Sequence, residues 1–119
     1  MDHPARKTLD DKEMFDDIVK AILSVMGDDA VKIILYGSVA RGDNTWESDV
    51  DIAMVIRGTL DRRTDKLLTK VIAEIDLKYD TVVSVIDIEA EHFNTWRSTL
   101  PFYVNIEKEG IILWTQEAA

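Results

Sequence analysis

The twenty residues YGSVARGDNTWESDVDIAMV, Tyr36 to Val55, decide how this chain is read. Just before them, Val31 to Leu35 is short, apolar and rich in β-branched residues, which predicts a buried strand ending at Tyr36. Gly37-Ser38 breaks that strand. Val39 to Arg41 predicts one helical turn closed by Gly42, and residues 43–48 a polar loop. Asp49 to Ile56 then predicts a second strand.

Two features of the stretch carry chemistry. Glycine at a strand-to-helix hand-over lets the backbone approach a ligand closely. The amides that follow point outward and can cradle phosphate. Ser38 adds a hydroxyl and Arg41 a fork-shaped cation one turn later. Asp49 and Asp51 are separated by one residue on the second strand, so alternation projects both carboxylates from one face. Val50, Ile52 and Met54 point the other way, into a core. Two carboxylates side by side repel unless a cation sits between them, and Mg²⁺ or Mn²⁺ suits such oxygen ligands. A metal pair facing a phosphate cradle is equipment for nucleotidyl transfer. Taken singly, Gly-Ser after a strand is a turn, Asp-x-Asp a solvated strand start, and Arg41 a surface cation paired with Asp43 or Glu47. The weight lies in the joint pattern, with ten residues between Ser38 and Asp49.

Outward from the motif, Met14, Phe15, Ile18, Val19, Ile22 and Val25 recur at helical spacing and predict a helix over residues 9–26, capped by Gly27. After Gly58, Thr59 is a candidate cap for a second long helix through Tyr79, burying Leu60, Leu67, Leu68, Val71, Ile72 and Ile75. Thr81 to Ile86 reads as a third strand, Ile88 to Trp96 as a helix, and Pro101 to Gly110 as a final short helix. Ile111 to Trp114 is a last strand or a packed tail. The expected fold class is α/β (α+β), a single small domain over 1–119 with a mixed sheet flanked by helices. Its motif core spans 31–114, and 1–8 and 115–119 are expected to be flexible.

Composition bounds the function. The chain has 119 residues, 23 acidic against 14 basic, and a formal net charge of −9. Such a surface repels phosphate backbones, so direct nucleic-acid binding is not expected. A small phosphorylated ligand remains open, because a metal can bridge carboxylates to phosphates. The absence of cysteine removes disulfides, thiolate zinc sites and cysteine nucleophiles. Short apolar runs and a polar N-terminus predict no membrane span and no signal peptide, hence a cytoplasmic location.

The stretch GSVARGDNTWESDVDIAMV resembles the signature of the DNA polymerase β-like nucleotidyltransferase superfamily, and Ala40-Arg41-Gly42 with Ser48-Asp49 resembles its minimal nucleotidyltransferase (MNT) branch. LPFYVNIEKEGIILW, Leu100 to Trp114, is similar to that branch's tail. The resemblance implies that Gly37 and Ser38 hold the triphosphate of ATP, that Asp49 and Asp51 bind the catalytic metals, and that Arg41 helps at the phosphates. It also implies an MntA-like antitoxin beside a HEPN-domain toxin, with AMP moved from ATP to a tyrosine of that partner. The superfamily's third carboxylate comes from a later strand. Here Ser84 falls near that slot, with Asp80 one repeat earlier on the same face as a substitute or, equally, a turn residue.

The leading expectation is therefore a Mg²⁺-dependent nucleotidyltransferase. The alternatives are a catalytically weak antitoxin that acts by binding, and a small-molecule nucleotidyltransferase, disfavoured because one domain leaves little room for a second substrate wall. Homo- or hetero-oligomers are compatible with either. His3 and His92 have no evident ligand partners. Trp46 could stack on a base or cover a core. Trp96, Phe102 and Tyr103 suit packing or a protein interface.

Overall fold

The structure, a computed structural model, describes residues 11–45 and 47–116. His3, Trp46, the expected loose N-terminus and residues 117–119 lie outside them. The elements run α1 (Lys12–Met26), a 3-10 turn (Gly27–Asp29), β1 (Ala30–Tyr36), α2 (Gly37–Arg41), β2 (Val50–Ile56), α3 (Arg62–Tyr79), β3 (Val83–Glu89), α4 (Ala90–Trp96), α5 (Pro101–Glu109) and β4 (Ile111–Thr115). The sheet order is β3-β2-β1-β4. β1 is antiparallel to both β2 and β4, whereas β2 and β3 are parallel and joined through α3, so the sheet is mixed as expected.

Both faces of this sheet are covered, which explains why β2 is buried almost end to end. On one face Ile33, Leu35, Val50, Ile52, Met54 and Ile56 pack against Phe15, Ile18 and Ile22 of α1 and Leu68, Ile72 and Ile75 of α3. On the other, Ile34, Ala53, Val55 and Ile88 pack against Phe93 of α4 and Ile106 of α5. Alternation along β2 puts Asp51 on this second face, one pleat before Ala53. Helices α4 and α5 cover the far part of that face and leave its Asp51 end open.

Several expected boundaries move. Asp61, not Thr59, caps α3: its carboxylate accepts a hydrogen bond from the Thr64 amide at 2.7 Å. Leu67, expected inside, is 47% exposed, because the helix turns that position away from the sheet. The third strand begins at Val83 rather than Thr81 and extends through Ile88 and Glu89, which were expected in a helix; pairing with β2 carries it on, Val55 opposite Ile88 and Ile56 opposite Glu89. The last strand takes in Thr115, which pairs with Lys32, and the Gln116 amide donates to the Val31 carbonyl at 2.9 Å. The side chain of Gln116 also bonds Arg57 and the Asp28 carbonyl, so the tail expected to be loose from 115 is tied to the sheet through 116.

The Asp61 carboxyl is held below its ordinary value, chiefly by the Thr64 amide. A depressed carboxyl stabilises the fold above the ordinary carboxylate range and loses that contribution as pH falls through it. Asp61→Ala is expected to lower Tm at pH 7 while Thr59→Ala leaves it unchanged, and the Asp61→Ala deficit shrinks at acid pH; thermal denaturation followed by circular dichroism at two pH values checks both.

Candidate active site

The site forms where three strands end side by side. In the β1–β2 ladder Tyr36 stands opposite Asp51, and in the β2–β3 ladder Asp51 stands opposite Ser84. Directly paired residues share a face, so this row places a phenol, a carboxylate and a hydroxyl across the sheet. Asp49 lies just outside β2, exposed, at the end of a loop closed by bonds between Thr45 and Ser48.

Gly37 follows Tyr36 with φ +78°, and its backbone lies directly against Asp51. A Cβ built there would sit 3.2 Å from Asp51 Cγ and closer still to Oδ2. Only glycine combines that dihedral with that approach. Ser38 opens the short α2, and its carbonyl accepts the amides of Gly42 at 2.9 Å and Asp43 at 3.1 Å. Gly42 terminates α2 in the left-handed region at φ +79°. Arg41 leaves the same helix and divides its charge between Asp43 (3.2 Å) and Glu109 of α5 (3.5 Å). Asp43 was a foreseen partner; Glu109, sixty-eight residues downstream, takes the place expected for Glu47.

The charge of Asp49 reaches Asp51. The Asp51 carboxyl is pushed up, first by burial, then by the negative charge of Asp49, against a smaller opposing pull from Arg41. Asp49 and Arg41 thus both act on Asp51, and Gly37 touches it. This arrangement fits a divalent cation, because repelling carboxylates beside a backbone stripped of its side chain leave both charge and room for one.

No third acidic group completes a cluster: among the described residues, no three or more His, Cys, Asp or Glu side chains converge on one metal-sized space. Ser84 occupies the register position opposite Asp51. Asp80 is not on the strand. It caps the C-terminus of α3 in the left-handed region at φ 49°, exposed, so alternation with Ser84 does not apply to it.

Sequence reading missed the second wall. Tyr36, Gly37, Arg41, Phe102, Asn105, Ile106 and Glu109 line a cleft of about 230 Å³ beside the acidic pair. Tyr36 and Phe102 meet edge to face, with centroids 5.7 Å apart. The aromatic residues near Pro101 were the available signal, but only the fold shows which of them face the motif. Tyr103 instead packs on Phe93, and its hydroxyl lies 2.7 Å from His92 Nδ1, giving that histidine a structural partner.

Residues 15–113 match the family model described as nucleotidyltransferase domain. A Methanocaldococcus jannaschii protein named "Putative protein adenylyltransferase" is 35% identical over 106 residues, covering 89% of this chain and all of the relative. Another of the same name and organism is 32% identical over 74 residues, 62% of this chain and 75% of the relative. In solved structures, the fold matches a crystal structure of a toxin–antitoxin with AMP-PNP (TM-score 0.59, 23% identity, covering 87% of this chain and 74% of that one). It also matches a tri-AMPylated Shewanella oneidensis HEPN toxin in complex with MNT antitoxin (TM-score 0.53, 19% identity, 88% and 73% covered).

Gly37→Ala is expected to cost about 1–3 kcal/mol, from the strained dihedral and the collision with Asp51. Urea denaturation checks it; parent-like stability would show that the backbone does not approach Asp51 as described.

Proposed function

Because the chain belongs to the nucleotidyltransferase domain family, we propose that it transfers AMP from ATP to a hydroxyl of a protein acceptor, with Asp49 and Asp51 holding Mg²⁺ or Mn²⁺. The observation that carries this reading is the contact of Gly37 with Asp51, on which the charges of Asp49 and Arg41 also act. A divalent cation bound there polarises the phosphates and makes the attacking hydroxyl more acidic.

The chain's own residues do the positioning. The backbone at Gly37 and the Ser38 hydroxyl receive the β- and γ-phosphates. Arg41 turns from Asp43 and Glu109 toward them, which costs little because both ion pairs are exposed. The acceptor hydroxyl gives up its proton to solvent as its oxygen forms a bond to the α-phosphorus, the bond to the bridging oxygen breaks, and pyrophosphate leaves along the Gly37–Ser38 side. The acceptor is proposed to be a tyrosine of a HEPN-domain toxin, which makes the protein an antitoxin. The names of its relatives and the toxin–antitoxin fold neighbours support this partner.

A second reading is favoured by one residue. Ser84 stands opposite Asp51 and cannot act as a base or as an anionic metal ligand. A chain with only two carboxylates transfers slowly, or neutralises its partner by binding alone. A small-molecule acceptor gains no support from the relatives, which are named for a protein acceptor.

Incubation with labelled ATP, Mg²⁺ and the protein encoded by the neighbouring gene separates the readings. Label on the partner that disappears with Asp49→Asn and with Asp51→Asn supports transfer. A tight, unlabelled complex supports binding alone, and neither label nor complex contradicts both. Calorimetry should show ATP binding with Mg²⁺ and its loss in excess chelator, since bare carboxylates repel the triphosphate. Ser84→Asp is expected to raise affinity for Mn²⁺, read by the same method.

A further inference from the structure

The cleft lined by Tyr36, Phe102, Asn105 and Glu109 has no assigned role. We propose that it is the nucleobase subsite, taking the adenine of ATP between the Phe102 ring and the Asn105 side chain. The inference rests on the nucleotidyl-transfer reading and deepens it.

Size comes first. At about 230 Å³ the cleft falls below the roughly 300–1,000 Å³ of a pocket enclosing a whole drug-sized ligand, so it accepts one part of a larger molecule. Its lining is next. Phe102 is 45% exposed, with one edge of the ring pair resting on Tyr36, which leaves an aromatic surface open for stacking. Asn105, one turn further along the helix, is exposed and lines the same cleft. An amide offers a donor and an acceptor side by side, the set that matches the adenine N6/N7 edge.

Position decides between base and acceptor. The cleft shares Gly37 and Arg41 with the walls proposed for the departing phosphates. In-line displacement requires the attacking hydroxyl to reach the α-phosphorus from the side opposite the leaving pyrophosphate. A cleft on the leaving-group side is closed to the acceptor but within reach of a base joined to the α-phosphate through its ribose. The edge-to-face contact of Phe102 with Tyr36 ties α5 to the end of β1, so the helix carrying Phe102 and Asn105 is held beside the motif.

The test is calorimetry on the full chain with Mg²⁺ and three probes: ATP, GTP and inorganic tripolyphosphate. The parent is expected to bind ATP at least about tenfold more tightly than tripolyphosphate, with GTP weaker than ATP. Phe102→Ala should bring ATP down to the tripolyphosphate level, Phe102→Tyr should restore it, and Asn105→Ala should remove the preference for ATP over GTP. Tripolyphosphate binding should stay unchanged in all three, which shows that the fold and cradle are intact. Parent-like ATP affinity in Phe102→Ala and Asn105→Ala overturns the subsite while leaving the transfer reading standing, provided Asp51→Asn abolishes binding. An equal loss of tripolyphosphate in these variants also overturns it. If the parent binds none of the probes, both readings fail together.

Discussion

The site depends on one close approach, the backbone of Gly37 against the carboxylate of Asp51. Two antiparallel strands bring these residues together, Tyr36 opposite Asp51, and the chain must leave β1 without a side chain to avoid a collision. The positive φ of Gly37 starts α2 at that point. The same requirement fixes the motif's order: glycine at the end of one strand, acid near the start of the next. The sheet supplies the rigidity. With both faces buried, β2 cannot shift register without turning its core residues outward, so Asp51 is held where Gly37 needs it.

Electrostatic cost is concentrated where the fold is most constrained. Burial and the neighbouring Asp49 both disfavour ionised Asp51, and Arg41 relieves only part of this. Carboxyls pushed up in this way cluster at functional sites. Two acidic residues elsewhere show the contrast. Asp17 accepts from Lys78 and from the Tyr79 hydroxyl and so joins α1 to α3, while Glu107 takes both ends of the Arg97 fork. Those carboxyls are held low by their partners, and the contrast marks Asp51 as the exception.

Much of this was legible in the sequence. The element order, the mixed sheet, the Gly27 and Gly42 helix ends and Pro101 at the start of α5 follow from local chemistry and strand alternation. What local chemistry could not reach was decided by pairing between distant segments. Strand β3 runs on through Glu89 because β2 offers partners that far, and Thr115 joins the edge because Lys32 is free to pair. Asp61 outcompetes Thr59 as the cap because the helix starts two residues later than its apolar pattern suggests. Asp80 looks like a strand residue only if the strand is begun three residues early. The cleft wall on α5 was invisible for the same reason, since nothing near Tyr36 in sequence points to Phe102, Asn105 or Glu109.

The most direct test of the central claim follows amide resonances by NMR as Mn²⁺ and ATP are added to the full chain. Paramagnetic broadening is expected first at Gly37, Ser38, Asp49 and Asp51, with Ser84 next and the α1–α3 side unaffected. Broadening centred instead on the exposed acids Asp28 and Asp29, or spread evenly over the acidic surface, would contradict a metal held between the Asp pair and the Gly37 bend.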